Sequence, residues 1–172
     1  MKSVNKIKRL FPLSGRNREE ILHAPLEGRV IPIDQTPDET FATRILGDGV
    51  AIVPLGGTLF CPADGRVDQA FDTAHALTLV TDGGAELLLH VGIDTVELRG
   101  RHFELLVRAG DRVRAGDALI RFDRSAIMAA DYHVVTPMVV GNSEEYDLEV
   151  LATGDVKVGA PLVKLRRKEA AR

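Results

Sequence analysis

The sequence has little cysteine, few aromatic residues and no long apolar run. Its 172 residues include one cysteine and no tryptophan, and aromatic residues make up 5% of the chain. The single Cys61 cannot form an internal disulfide, which suits a reducing compartment. No apolar run approaches the ~18 residues of a transmembrane helix, and the basic N-terminus lacks the apolar region of a secretory signal. We therefore expect a cytoplasmic protein.

Acidic residues are almost absent from the two ends of the chain. Residues 1–18 contain six basic residues and no acidic one, and residues 164–172 contain five basic residues against Glu169. The stretch between them has 11 basic and 24 acidic residues, a net charge of −13. Because binding to nucleic-acid phosphates requires clustered Lys and Arg, this body is not expected to bind nucleic acid.

The charge distribution divides the chain into three predicted parts. These are a flexible basic segment (1–19), a folded domain (20–168) and a short tail (169–172). Apolar residues recur at helical spacing within residues 1–12. This pattern fits a solvated terminus, and it also fits a basic amphipathic helix in peripheral contact with an anionic membrane.

Long helical patterns are absent from residues 20–168, where short apolar runs alternate with Gly, Pro and Asp. Such runs, with turn residues every 8 to 12 positions, are typical of an all-β sandwich or barrel. We predict an antiparallel, barrel-like β-sandwich with a few short helices, at 39–46, 101–108 and 125–130.

Two histidines are predicted to meet across a hairpin. Gly83 and Gly84 lie between two apolar runs, and a two-residue Gly-Gly loop is a strong hairpin signal. This register places Leu77 opposite His90 and makes His75 and His90 diagonal neighbours, roughly 7 Å apart at Cβ, on one face. Three leucines are predicted to share that face: Leu77, Leu79 and Leu88.

Paired histidines in an apolar depression fit three chemistries: metal binding, acid–base catalysis and covalent phosphoryl transfer. A zinc site normally takes at least three protein ligands, and no H-x-H, H-E-x-x-H or paired-cysteine motif is present. Acid–base catalysis on a carbohydrate requires paired carboxylates, and the sequence offers no clear pair. Phosphoryl transfer requires one nucleophilic nitrogen, a second imidazole as partner and a docking surface.

Several motifs resemble the glucose-type enzyme IIA domains of the bacterial phosphoenolpyruvate-dependent sugar phosphotransferase system. The most specific is L-H-V-G-I-D-T-V-E-L at 89–98, and the resemblance covers roughly residues 24–165. The others are T-A-H-A at 73–76, P-A-D-G at 62–65, G-D-G-V-A-I at 47–52 and G-D-R-V at 110–113.

The resemblance implies a role for each candidate site residue. His90 is expected to be phosphorylated at Nε2 by the phosphocarrier protein HPr and to pass the phosphoryl group to a cysteine in the IIB domain of a sugar permease. His75 is expected to contact the phosphate and to be needed for onward transfer. Thr73 corresponds to a hydroxyl bonded to that imidazole, and Asp94 to a carboxylate near the phosphohistidine.

The resemblance also implies a docking surface shared by both partners. Glu39 and Thr40 replace apolar residues of well-studied members, and Leu77 and Leu88 replace aromatic ones, so this surface is expected to differ from theirs. The residues predicted to form it are Phe41, Ile45, Phe71, Leu88 and Val96.

Three other functions fit the sequence. One is a regulatory protein whose phosphorylation state reports sugar supply by binding transporters or metabolic enzymes. Another is a metallopeptidase on a similar β scaffold, which would need a third ligand beside His75 and His90. The G-D-x-V turns also suggest a biotinyl or lipoyl carrier, but no lysine occupies the hairpin tip. No cofactor is expected, apart from zinc held by the two histidines and completed by a partner's carboxylate.

Overall fold

The structure, a computed structural model, describes residues 19–169. The expectations for the basic segment and for membrane contact through residues 1–12 fall outside the described residues, as does most of the predicted tail. Glu19, assigned from the sequence to the flexible segment, is the first residue of the first strand.

Within residues 19–169 the chain forms short strands joined by turns, two short α-helices and three 3-10 helices. The helices are α1 (Glu39–Ala42), α2 (Arg124–Ala129) and the 3-10 helices Ile33–Gln35, Thr95–Leu98 and Ser143–Glu145. The strands are β1 (Glu19–His23), β2 (Gly28–Pro32), β3 (Asp48–Pro54), β4 (Thr58–Phe60), β5 (Gly65–Ala70), β6 (Ala76–Thr81), β7 (Glu86–His90), β8 (Phe103–Leu105), β9 (Arg112–Val113), β10 (Ala118–Phe122), β11 (Thr136–Val140), β12 (Tyr146–Val150), β13 (Gly154–Val156) and β14 (Pro161–Arg167).

The strands form three antiparallel sheets. The largest has eight strands in the order β13-β2-β3-β11-β7-β6-β5-β9, and the smaller two have the orders β1-β14-β12 and β4-β10-β8. Among residues 19–169 these sheets do not close into a barrel, and they form an open, sandwich-like fold. This confirms the all-β antiparallel prediction.

The two faces of β7 contribute to different apolar clusters. Leu87 and Leu89 are 1% and 0% exposed and belong to the main core. Leu88, which points the other way, packs with Phe41 in a smaller cluster. Because side chains alternate along a strand, His90 emerges on the same side as Leu88, beside the smaller cluster.

Two of the three predicted helices form. The first is shorter than predicted and begins after Asp38, whose side chain accepts a hydrogen bond from the Thr40 N–H at 2.7 Å. The helix predicted at 125–130 corresponds to α2.

The prediction for 101–108 is wrong, because residues 103–105 form strand β8. His102 has a φ of +73°, which a helix cannot contain. Pairing with β10, including Leu105 opposite Ile120, overrides the local helical pattern.

The predicted register of the β6–β7 hairpin is wrong by one residue. Its loop has three residues, 82–84, ending at Gly84 with φ +89°, a known three-residue hairpin geometry. Ala76 therefore lies opposite His90, and Leu77 lies opposite Leu89. Leu77 and Leu79 are consequently fully buried in the main core and do not share a face with His90.

Candidate active site

The structure brings His75 and His90 together despite the corrected register. Their ring centroids are 4.8 Å apart and their planes are nearly perpendicular, at 84°. His90 ends β7, whereas His75 precedes β6 and follows Ala74, whose φ is +56°. This left-handed residue interrupts the alternation of the strand just before His75, and the two rings meet at the end of the hairpin.

The protonation of the His90 ring follows from its hydrogen bond. Nδ1 lies 2.7 Å from the carbonyl oxygen of Gly92. A carbonyl can only accept, so Nδ1 carries the proton and donates it, and the lone pair of the neutral ring is on Nε2. Burial lowers the pKa of His90, while the Gly92 hydrogen bond and the charges of Asp38 and Asp94 act in the opposite direction. Near pH 7 this histidine is therefore a neutral imidazole with its lone pair on Nε2.

His75 is held by the loop that precedes β6. It is 5% exposed, and its Nδ1 lies 2.7 Å from the hydroxyl oxygen of Thr73. Burial, with a smaller contribution from the charge of His90, lowers the pKa of His75 from 6.5 to about 4. Both imidazoles are thus neutral at physiological pH, which avoids repulsion between two adjacent cations.

The depressed pKa of His75 predicts a loss of stability in mild acid. Between pH 6.5 and about 4 the unfolded chain gains a proton at His75 that the folded chain does not. Stability is therefore unaffected by this group above that window and falls as the pH drops through it, by about 2 kcal/mol between pH 7.5 and 5. Urea unfolding at the two pH values measures this, with His75→Gln as the control. The prediction fails if the variant loses as much stability as the wild type.

An apolar surround encloses the pair. The Phe41 ring lies edge-on to His90 at 5.2 Å, and the Phe71 ring lies 5.9 Å from His75. Phe41 is 5% exposed. Leu88 is half-buried behind it, so these two residues support the site from within. The exposed members of the predicted docking surface are Ile45, Phe71 and Val96, at 76%, 37% and 46% exposure.

The charges of two carboxylates act on the pKa of His90. Asp94, identified from the sequence, is exposed and has a φ of +57° at the start of the 3-10 helix Thr95–Leu98. Asp38, which sequence reasoning missed, caps α1, and its charge also opposes the lowering of the His90 pKa by burial. An Asp followed by a short helical stretch signals a cap, but its approach to a histidine 52 residues further along depends on the tertiary fold.

The described residues contain no group of three or more His, Cys, Asp or Glu side chains arranged to hold a metal ion. His75 and His90 are therefore two nitrogen ligands without a third from residues 19–169. None of the helices in that range is long and apolar enough to cross a membrane.

Comparison with known proteins gives consistent matches. A family model described as "phosphoenolpyruvate-dependent sugar phosphotransferase system, EIIA 1" matches residues 20–146. The glucose-specific EIIA component of the PTS system from Halalkalibacterium halodurans is 39% identical over 160 residues, covering 88% of this chain and 92% of the relative. The solved structure of glucose permease IIA from Mycoplasma capricolum matches with a TM-score of 0.82 and 36% identity, over 86% of this chain and 96% of that one.

A further relative carries the same domain within a larger protein. The beta-glucoside-specific EIIBCA component from Dickeya chrysanthemi is 50% identical over 153 residues, which cover 88% of this chain but 24% of the relative. The chain therefore spans about a quarter of that relative's length.

With the antiparallel fold, these matches define the class of protein: a phosphotransferase component of a sugar phosphotransferase system. The chain belongs to the EIIA 1 family of the phosphoenolpyruvate-dependent sugar phosphotransferase system. The resemblance found in the sequence is confirmed, and the matches do not favour the regulatory and metallopeptidase alternatives.

Proposed function

We propose that His90 accepts a phosphoryl group at Nε2 from the phosphohistidine of HPr. The Nε2 lone pair forms a bond to phosphorus while the bond between phosphorus and the donor nitrogen breaks, and that electron pair returns to the donor ring. The observation that carries the proposal is the Nδ1–H bond to Gly92, because it leaves Nε2 as the free nucleophile. Enzymatic phosphoryl transfer depends mainly on positioning and charge stabilisation, which His75 and His90 are proposed to supply.

In this proposal His75 stabilises the transferring phosphoryl group. We assign the Thr73 hydroxyl, 2.7 Å from His75 Nδ1, as the donor of their hydrogen bond, so that the neutral ring carries its proton on Nε2 and donates it to a phosphate oxygen. The 4.8 Å separation of the ring centroids leaves both rings beside the same small group. The charge of Asp94 acts on the ring of His90.

The acceptor in this proposal is a cysteine of the IIB domain of a sugar permease. Its thiolate attacks phosphorus, the bond to His90 Nε2 breaks, and the electron pair returns to the imidazole. The names of the relatives support such a partner, since one is an EIIBCA component and another a glucose permease IIA. The single cysteine suits the reducing cytoplasm, where we place the reaction.

We propose that this chemistry needs no resident cofactor. Two imidazoles alone make an incomplete zinc site, so a metal would bind tightly only where a docked protein adds a carboxylate.

Incubation with phosphoenolpyruvate, enzyme I and HPr tests the function directly. Intact mass should rise by one phosphate, and ³¹P NMR should show an acid-labile phosphoramidate. Permease IIB domain added afterwards should remove the label. Unlabelled protein in the presence of active, freshly phosphorylated HPr would refute the proposal.

The proposed docking surface predicts an effect on partner affinity. Ile45 is 76% exposed, and a carboxylate there would have to be desolvated on docking. Ile45→Asp is therefore expected to raise the KM for phosphorylated HPr about tenfold, the size of an ordinary interface hot spot, with kcat little changed.

Leu55→Asp is the matched control. Leu55 is 66% exposed and lines a groove beside Phe103 and Phe122, away from the histidine pair. Equal KM values for the two variants would remove Ile45 from the docking surface.

A further inference from the structure

The tautomer of His90 depends on one carbonyl group. Gly92 has a φ of +78°, and its carbonyl oxygen accepts the Nδ1–H of His90 at 2.7 Å. If that carbonyl moved away, the ring proton could settle on Nε2, which would then cease to be a nucleophile. The position of the Gly92 carbonyl thus selects the reactive nitrogen.

Two backbone hydrogen bonds hold the peptides that precede and follow the Val91–Gly92 peptide. The Val91 N–H donates to the His75 carbonyl at 2.8 Å, and the Ile93 N–H donates to the His133 carbonyl at 3.0 Å. The Ile93 N–H belongs to the same peptide plane as the Gly92 carbonyl. His133, whose side chain is exposed, therefore contributes to the site through its backbone.

The peptide between Val91 and Gly92 is held by a side chain. The hydroxyl of Thr95, which is 0% exposed, donates to the Val91 carbonyl. The methyl group of Thr95 also fills the space beside Gly92, since a Cβ built on Gly92 would lie 2.5 Å from it. One buried side chain thus both bonds to the loop and packs against it.

The hydroxyl of Thr95 points back toward this loop although Thr95 begins a 3-10 helix. The residue at the N-cap, Asp94, makes no side-chain capping bond. The Thr95 hydroxyl donates to the Val91 carbonyl, four residues earlier in the chain. That carbonyl lies in the peptide just before the one that contains the Gly92 carbonyl.

We propose that Thr95 is a positioning residue that selects the Nδ1–H tautomer of His90 by fixing the Val91–Gly92 peptide. This inference rests on the proposed use of Nε2 as the phosphoryl acceptor. The tautomer of His90 can be measured in the unphosphorylated protein. The role of Thr95 can therefore be refuted without refuting phosphorylation at Nε2, and the reverse also holds.

The test compares Thr95→Val and Thr95→Ser by long-range ¹⁵N–¹H NMR of the His90 ring. The wild type should show Nδ1 protonated and Nε2 unprotonated. Loss of one ordinary hydrogen bond in Thr95→Val should shift the ratio of the two tautomers roughly fivefold toward Nε2–H. The rate of phosphorylation by HPr should fall in proportion to the fraction of the Nδ1–H tautomer that is lost, and Thr95→Ser should restore both.

Thr81→Val is the matched control. Thr81 is 4% exposed, and its hydroxyl bonds to Glu20 and to the Ala85 N–H at the opposite end of the hairpin. This variant should lose stability and keep the wild-type tautomer. A wild-type tautomer in folded Thr95→Val would overturn the proposal.

A folded Thr95→Ser that loses the Nδ1–H tautomer would overturn it as well, because the hydroxyl is still present. The serine variant keeps the test decisive if the valine variant does not fold.

Discussion

His90→Gln is expected to reduce phosphorylation by HPr to background. A glutamine amide nitrogen has no available lone pair, so the nucleophile is lost whatever the geometry of the loop. The intact mass of the variant should not change after incubation with phosphoenolpyruvate, enzyme I and HPr. The same samples should lack the phosphoramidate signal in ³¹P NMR.

Folding must be shown to survive this change. His90 is half-buried at the end of β7, outside the main core, so a wild-type pattern of backbone amide signals is expected. Incorporation of acid-labile phosphate into folded His90→Gln would move the acceptor to another residue. His75, the neighbouring imidazole, would be the first to examine.

His75→Gln is expected to separate the two half-reactions. The variant keeps the nucleophile and its Gly92 anchor, so it should accept one phosphate from HPr. Onward transfer to the permease IIB domain should fall about 100- to 1000-fold, as when one donor to a developing charge is removed from an active site. The measurement is the rate at which labelled phosphate leaves the variant after IIB is added.

A second variant controls for the loss of packing around His75. Phe71→Leu perturbs the ring that lies 5.9 Å from His75 and keeps both histidines. Phe71 also belongs to the proposed docking surface, so the comparison is made at saturating IIB, where Phe71→Leu should transfer phosphate at close to the wild-type rate. Equal onward transfer from His75→Gln and the wild type would show that His75 takes no part in the second step.

Much of the fold could be predicted because its signals are local. Short apolar runs separated by Gly, Pro and Asp indicate antiparallel strands, and the structure has them. Helix α2 was placed correctly, because Asp123 caps it and no strand pairing competes. The segment at 101–108 was assigned wrongly, because pairing with β10 is a contact between distant residues.

The loop length of the β6–β7 hairpin could not be predicted from the residues of the turn. Two glycines indicated a turn, but they did not reveal whether its loop has two or three residues. Asn142 donates to the Gly84 carbonyl and accepts from the Glu86 N–H, and thereby clamps the three-residue loop from a distant part of the chain. Such a contact cannot be inferred from the residues of the turn.

The sequence by itself determined the fold class, the family and the candidate residues His75, His90, Thr73 and Asp94. Tertiary structure alone decided how those residues meet. Ala74, whose backbone is left-handed, directly precedes His75 at the point where the two rings meet. The carbonyl of Gly92 determines which ring nitrogen of His90 is protonated. The effect of the Asp38 charge on His90 depends on the fold alone. The physical reason is that periodicity and turn chemistry act over a few residues, whereas a tautomer or a pKa depends on every group packed around the ring.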